Sequence, residues 1–121
     1  FPNLFIMNGP NSGLGAGSII FVIECQINYI LGALREMRER ESNRIEVSRE
    51  AEQEFVEMVN RKAQGTVWID GGCKSWYVDQ RNGRLTTIWP DFMSHFRQLN
   101  GVFNPDAYAF ENEHELVGTA R

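Results

Sequence analysis

A helical pattern over residues 18–40 whose first half has no polar face constrains this chain most. Ile20, Ile23, Ile27, Ile30, Leu31, Leu34 and Met37 recur at three- and four-residue steps, the period of one helix face. Gly17 or Ser18 suits the cap. Ile19-Ile20-Phe21-Val22-Ile23 is apolar all round, whereas Arg35, Glu36, Arg38, Glu39 and Arg40 alternate in charge as a solvated face does. A helix that is apolar all round must be buried. This one is predicted to start inside a protein and end in water, so its first turns need neighbours beyond the single short segment before it. With Phe1 in place of a starting Met, the expectation is a piece cut from a longer polypeptide or a chain whose leader was removed. Glu24, Gln26 and Asn28 interrupt the apolar run. A membrane span needs roughly 20 mostly apolar residues, so none is expected.

The flanking segments predict a mixed fold. Leu4-Phe5-Ile6-Met7, between Pro2-Asn3 and Asn8-Gly9-Pro10, reads as a buried strand. Residues 8–17 form a sharply bending loop with Gly9, Pro10, Gly13, Gly15 and Gly17. After the first helix, residues 41–47 read as a polar connection. Ser48 caps a second helix with Glu50 and Glu52 in its first turn, Ala51, Phe55, Met58, Val59 and Ala63 on one face, and Gly65 at its end. The period then shortens. Thr66-Val67-Trp68-Ile69 reads as a strand and Asp70-Gly71-Gly72 as a turn. Ser75-Trp76-Tyr77-Val78 and residues 84–88 read as extended segments joined near Asn82-Gly83. Pro90 and Asp91 open a short helix carrying Phe92, Phe96 and Leu99. Asn104-Pro105-Asp106 starts a last turn anchored by Tyr108 and Phe110, and residues 111–121 read as a loose acidic tail. The fold class is α+β: two long helices, a small antiparallel β element and a short C-terminal helix.

Bulk properties exclude several functions. The length of 121 residues suits one domain. The net charge of -4 implies no basic face, so no nucleic acid partner is expected. Cys25 and Cys73 are too few and too far apart for a disulfide framework, which points to a reducing, cytoplasmic setting. No secretory leader is visible. His95, His114 and the scattered acids lack metal-ligand spacing, so no metal is expected.

Three places carry possible chemistry. Gly13-Leu14-Gly15-Ala16-Gly17-Ser18 lies between a predicted strand and a helix, yet it misses the dinucleotide fingerprint because its third glycine falls at 17. Free N–H groups at the helix start still suit a phosphate or the electron-rich edge of a reduced flavin. The plainer reading, glycines that only permit a tight turn, stays open. Gly72-Cys73-Lys74-Ser75-Trp76-Tyr77 gathers a thiol, a cation and two aromatics, as ligand-pocket walls do. Alternation of Trp76 and Tyr77 across a strand, one inward and one outward, is the simpler explanation. Neither histidine is near Cys73 in sequence, which argues against a Cys–His pair. Glu24 in an apolar helix is either a functional acid or, more simply, a carboxylate with a partner.

Taken in order, these stretches resemble the C-terminal part of FAD-containing monooxygenases of the Baeyer–Villiger type, such as the cyclohexanone and hydroxyacetophenone monooxygenases. Phe1-Pro2-Asn3-Leu4-Phe5 through Gly9-Pro10-Asn11-Ser12 resembles the last strand of their FAD domain and its loop. Ser18-Ile19-Ile20-Phe21 with Glu24-Cys25-Gln26 resembles the helix that follows. Cys73-Lys74-Ser75-Trp76-Tyr77-Val78-Asp79, Gly83-Arg84, Trp89-Pro90 and Phe92 resemble the return toward the active site, and Asn104-Pro105-Asp106-Ala107-Tyr108 the closing element. The likeness covers residues 1–110. It implies a larger flavoprotein with two dinucleotide-binding domains, to which residues 1–40 give the last strand and helix of the FAD domain. Residues 41–110 would line the cofactor and substrate site. It implies NADPH-dependent reduction of FAD and insertion of one oxygen of O2 into an organic ketone, or oxidation of a heteroatom. Asn11, Ser12, Gly13 and Ser18 would lie against FAD, with Ser75 and Trp76 toward NADPH and the substrate. Lys74 departs from the Ser or Asn of many relatives. The family's two G-x-G-x-x-G fingerprints and its flavin-proximal arginine would lie upstream, so the chain alone is expected to be inactive, and no catalytic residue is assigned. Its exposed apolar helix face would allow it to dimerise. Two rivals remain: a helix-mediated interaction module, and a small nucleotide-binding domain using residues 13–18.

Overall fold

A computed structural model describes residues 1–72 and 74–112. The chain runs α1 (Ile19–Glu39), β1 (Arg44–Val47), α2 (Arg49–Ala63), α3 (Val67–Asp70), β2 (Val78–Asp79), β3 (Arg84–Leu85), α4 (Met93–Asn100), a 3-10 turn at Pro105–Ala107, and β4 (Tyr108–Glu111). The α+β reading holds. Both long helices stand where their periodicity places them. Ser48 caps α2 by accepting from the Ala51 N–H, and Gly65 leaves it at φ +77°, a conformation open to glycine.

Four sequence expectations are corrected. Residues 4–7 form no strand, and Leu4, Ile6 and Met7 are exposed. Their composition suits a sheet interior, but no neighbouring strand among the described residues takes up their backbone groups. Residues 44–47 are a strand rather than a connection. Arg44-Ile45-Glu46-Val47 pairs antiparallel with β4, setting Ile45 opposite Phe110 and Val47 opposite Tyr108. Residues 67–70 make a helical turn, not a strand. The Ile69 and Asp70 N–H groups both donate to the Thr66 carbonyl, and that turn faces Trp68 and Ile69 to one cluster. Finally, α4 begins at Met93, after Pro90 and Asp91. The expected hairpin is present but short, with Val78 opposite Leu85 and Gly83 at φ +69°. Of the expected tail, residues 113–121 lie outside the described residues, as do Cys73 and His114.

Two clusters hold these elements. In the first, Val22, Cys25, Val59, Trp89 and Phe96 join α1, α2 and α4. In the second, Ala63, Leu85 and Ile88 receive Trp68, Ile69, Tyr77 and Val78. Burying one such aliphatic side chain contributes about 1.5–3 kcal/mol. At the far end of α1 an aromatic group closes on the β1–β4 sheet. Tyr29 and Tyr108 lie 5.1 and 5.0 Å from the Phe103 ring, and the Arg40 guanidinium sits 4.5 Å above Phe110. Gly32 is needed there, since a Cβ would come within 2.5 Å of the Phe103 Cβ.

Only one stripe of α1 is covered. Val22, Cys25 and Ala33 are buried. On the opposite stripe Ile20, Ile27, Leu31 and Leu34 are exposed, with fractions from 43% to 64%. No helix among the described residues is long and apolar enough to cross a membrane.

Candidate functional site at the start of the long helix

The glycine loop before α1 lies against residues 84–89. Asn11 takes φ +57°, and its amide donates to the carbonyls of Leu85 (2.8 Å) and Ile88 (3.2 Å). Its own N–H donates to Thr86. Ser12 is buried and its hydroxyl donates to the Gly9 carbonyl at 2.6 Å. The Gly13 N–H donates to Thr87 O, and Gly13 O accepts from the Trp89 N–H at 2.8 Å, a parallel bridge in miniature. A Cβ at Gly13 would meet the Thr87 carbonyl at 3.0 Å. The side-chain amide of Asn11, the Ser12 hydroxyl and the Gly13 backbone therefore all bond the protein itself.

Beyond Gly13 the loop opens. Residues 15–20 are exposed, Gly17 stands at φ +119° beside Met93, and Ser18 precedes α1 without a side-chain cap. No acidic residue occupies the first turn. The positive end of a 21-residue helix thus faces outward without a compensating carboxylate, an arrangement that suits a negative group.

The hairpin gives the site its second side. Ser75 is half-buried, with its hydroxyl accepting from the Tyr77 N–H at 3.2 Å. Trp76 is 76% exposed, its ring 4.5 Å from that of Tyr77. Arg81 bonds Asp79 across the turn and holds its carboxyl down at about 2. Tyr77 packs on the cluster that also receives Trp68. Trp68 in turn covers Gly15, where a Cβ would overlap the indole. So the hairpin and the glycine loop meet through Trp68, a residue the strand reading of 66–69 did not single out. Its signal was the match of a bare glycine to a large ring, which spacing does not show.

Other candidates fall away from this place. Glu24 is exposed on α1. Cys25 is buried, which pushes its thiol up and leaves it a packing group. No group of three or more metal-binding side chains occurs among the described residues. A titratable cluster that sequence reading missed joins α2 to α4. Asp91 Oδ2 lies 2.8 Å from Lys62 Nζ and 2.6 Å from His95 Nδ1. The ionised carboxylate can only accept, so His95 Nδ1 carries the proton.

The chain is 45% identical over 108 residues, 89% of its length, to a Baeyer-Villiger monooxygenase of Pseudomonas aeruginosa. It is 38% identical over 81% of its length to a Baeyer-Villiger monooxygenase of Streptomyces coelicolor. A probable FAD-binding monooxygenase of Aspergillus luteorubrus is 30% identical over 91% of the chain. The chain spans about a fifth of the length of these relatives, at 20%, 19% and 23%. No family model and no solved structure matches.

Proposed function

From this kinship with the Baeyer–Villiger monooxygenases, we propose that the chain is the C-terminal part of an NADPH- and FAD-dependent monooxygenase. The parent would insert one oxygen of O2 beside a ketone carbonyl or oxidise a soft heteroatom, and the isolated chain would not turn over. Residues 1–40 would belong to the FAD domain and residues 41–110 to the wall of the cofactor and substrate site. The observation that carries this reading is α1 itself. Its amino end is uncapped behind an exposed glycine loop, and its Ile20, Ile27, Leu31 and Leu34 stripe is bare. A larger flavin domain gives both features a use.

In this proposal the flavin supplies the redox chemistry. The chain's own residues orient and polarise. The start of α1, with Ser18, would present its positive N–H groups to the electron-rich edge of the flavin. Asn11, Ser12 and Gly13 act by fixing the loop's path, because their polar atoms bond the protein itself. Ser75 and Trp76 would meet NADPH and the substrate from the hairpin side. A cytoplasmic setting, and self-association of the isolated chain through its bare stripe, belong to the same proposal.

The test is to purify the protein that carries this chain together with its upstream sequence. The expected result is two strand–G-x-G-x-x-G–helix units upstream, bound FAD, and ketone- or sulfide-dependent oxidation of NADPH with O2 uptake. Absence of flavin with a stable fold would favour the rival, a helix-mediated interaction module using the same stripe.

A further inference from the structure

We propose that Trp68 is a positioning residue that seats the glycine loop. This deepens, and rests on, the monooxygenase reading. The loop is gripped at three alternate glycines. Gly13 is held by backbone bonds to Thr87 and Trp89. Gly17 lies beside Met93, whose Cγ would be 3.1 Å from an added Cβ. Between them the Trp68 ring occupies the space where a Gly15 side chain would project. The ring cannot easily retreat, because Trp68 also packs on Ala63, Leu85 and Ile88, all of which are at most 2% exposed. Its backbone is fixed as well. Thr66 Oγ1 donates to Ala63 O at 2.6 Å, and α3 turns on the Thr66 carbonyl. The indole is therefore a plate anchored to the end of α2, and Gly15 lies against it. From there the loop enters α1, so the plate sets where that helix starts.

Two changes report on the contact from either side. Gly15→Ala drives a methyl into the ring, whereas Trp68→Ala removes the ring. Trp68→Phe keeps an aromatic plate and serves as the conservative variant. In the flavin-loaded protein, Gly15→Ala and Trp68→Ala each shift the flavin's visible absorption and weaken its retention about tenfold, and Trp68→Phe restores most of both. Adding Gly15→Ala to Trp68→Ala costs less than about twofold more, since the obstacle is gone. A parental flavin spectrum in Trp68→Ala would overturn the proposal. So would a Gly15→Ala effect that is equally large with and without the ring. If the protein holds no flavin, the monooxygenase reading fails separately. The same four proteins, followed by thermal unfolding, then decide the contact: additive losses overturn it and non-additive losses uphold it.

Discussion

The side-chain amide of Asn11 donates to the Leu85 carbonyl at 2.8 Å, tying the loop before α1 to a strand 74 residues further on. The same amide reaches Ile88 O, and Asn11 holds φ +57° while doing so. Each net hydrogen bond contributes about 1 kcal/mol and a left-handed alanine costs about 1–2 kcal/mol. Asn11→Ala should therefore destabilise by about 3 kcal/mol, and Asn11→Gly, which avoids the strain, by about 2 kcal/mol. Urea unfolding of the protein carrying this chain measures both. An Asn11→Gly variant as stable as the parent would mean that the amide bonds contribute nothing.

Asp91 links stability to acid. The Lys62 ammonium first, then the Phe92 N–H and the His95 imidazole, hold its carboxyl down at about 2, below the ordinary carboxylate range. A group depressed on folding stabilises fully above its unfolded value, and the contribution is lost as pH falls through the folded one. Asp91 should thus contribute about 1–2 kcal/mol above pH ~4, fading toward pH 2. Lys62 is 46% exposed, so screening keeps the figure at the low end. Asp91→Asn should lower the unfolding midpoint at pH 7 and leave it unchanged near pH 2. An equal loss at both pH values would show that the charge is not the cause.

The parts of the fold legible in the sequence are those fixed locally. The period of α1, the Ser48 cap of α2 and the glycine after Asn82 each specify their own element. What escaped depends on distant partners. Arg44-Ile45-Glu46-Val47 alternates cleanly, but four residues become a strand only because Tyr108–Glu111 arrives beside them. Val67-Trp68-Ile69 has strand composition, yet the pull of Ala63, Leu85 and Ile88 on both Trp68 and Ile69 selects a helical turn. The site was half legible for the same reason. Glycine spacing located the loop, whereas the Trp68 plate and the Lys62–Asp91–His95 cluster exist only in three dimensions.

Trp76 separates function from stability. At 76% exposure its truncation should change stability by no more than about 0.5 kcal/mol. Under the proposed function, Trp76→Ala should impair NADPH use about tenfold or more, as KM or as uncoupling, with FAD retention unchanged. Steady-state kinetics with a flavin-to-protein ratio checks this. Equal KM and equal coupling in mutant and parent would remove Trp76 from the cofactor's path.

The bare stripe of α1 gives the sharpest contrast between this chain alone and the proposed whole. Ile27 is 43% exposed and Leu31 47%. A carboxylate at an exposed position costs within about 0.5 kcal/mol. The same group under a covering flavin domain would be buried without a partner, at a cost of several kcal/mol. Ile27→Asp and Leu31→Asp are therefore expected to strip flavin from the protein carrying this chain and to lower its thermal midpoint by several degrees. Parental flavin content and midpoint in both variants would mean that the stripe faces water there too, and the helix would then need another reason for its apolar back.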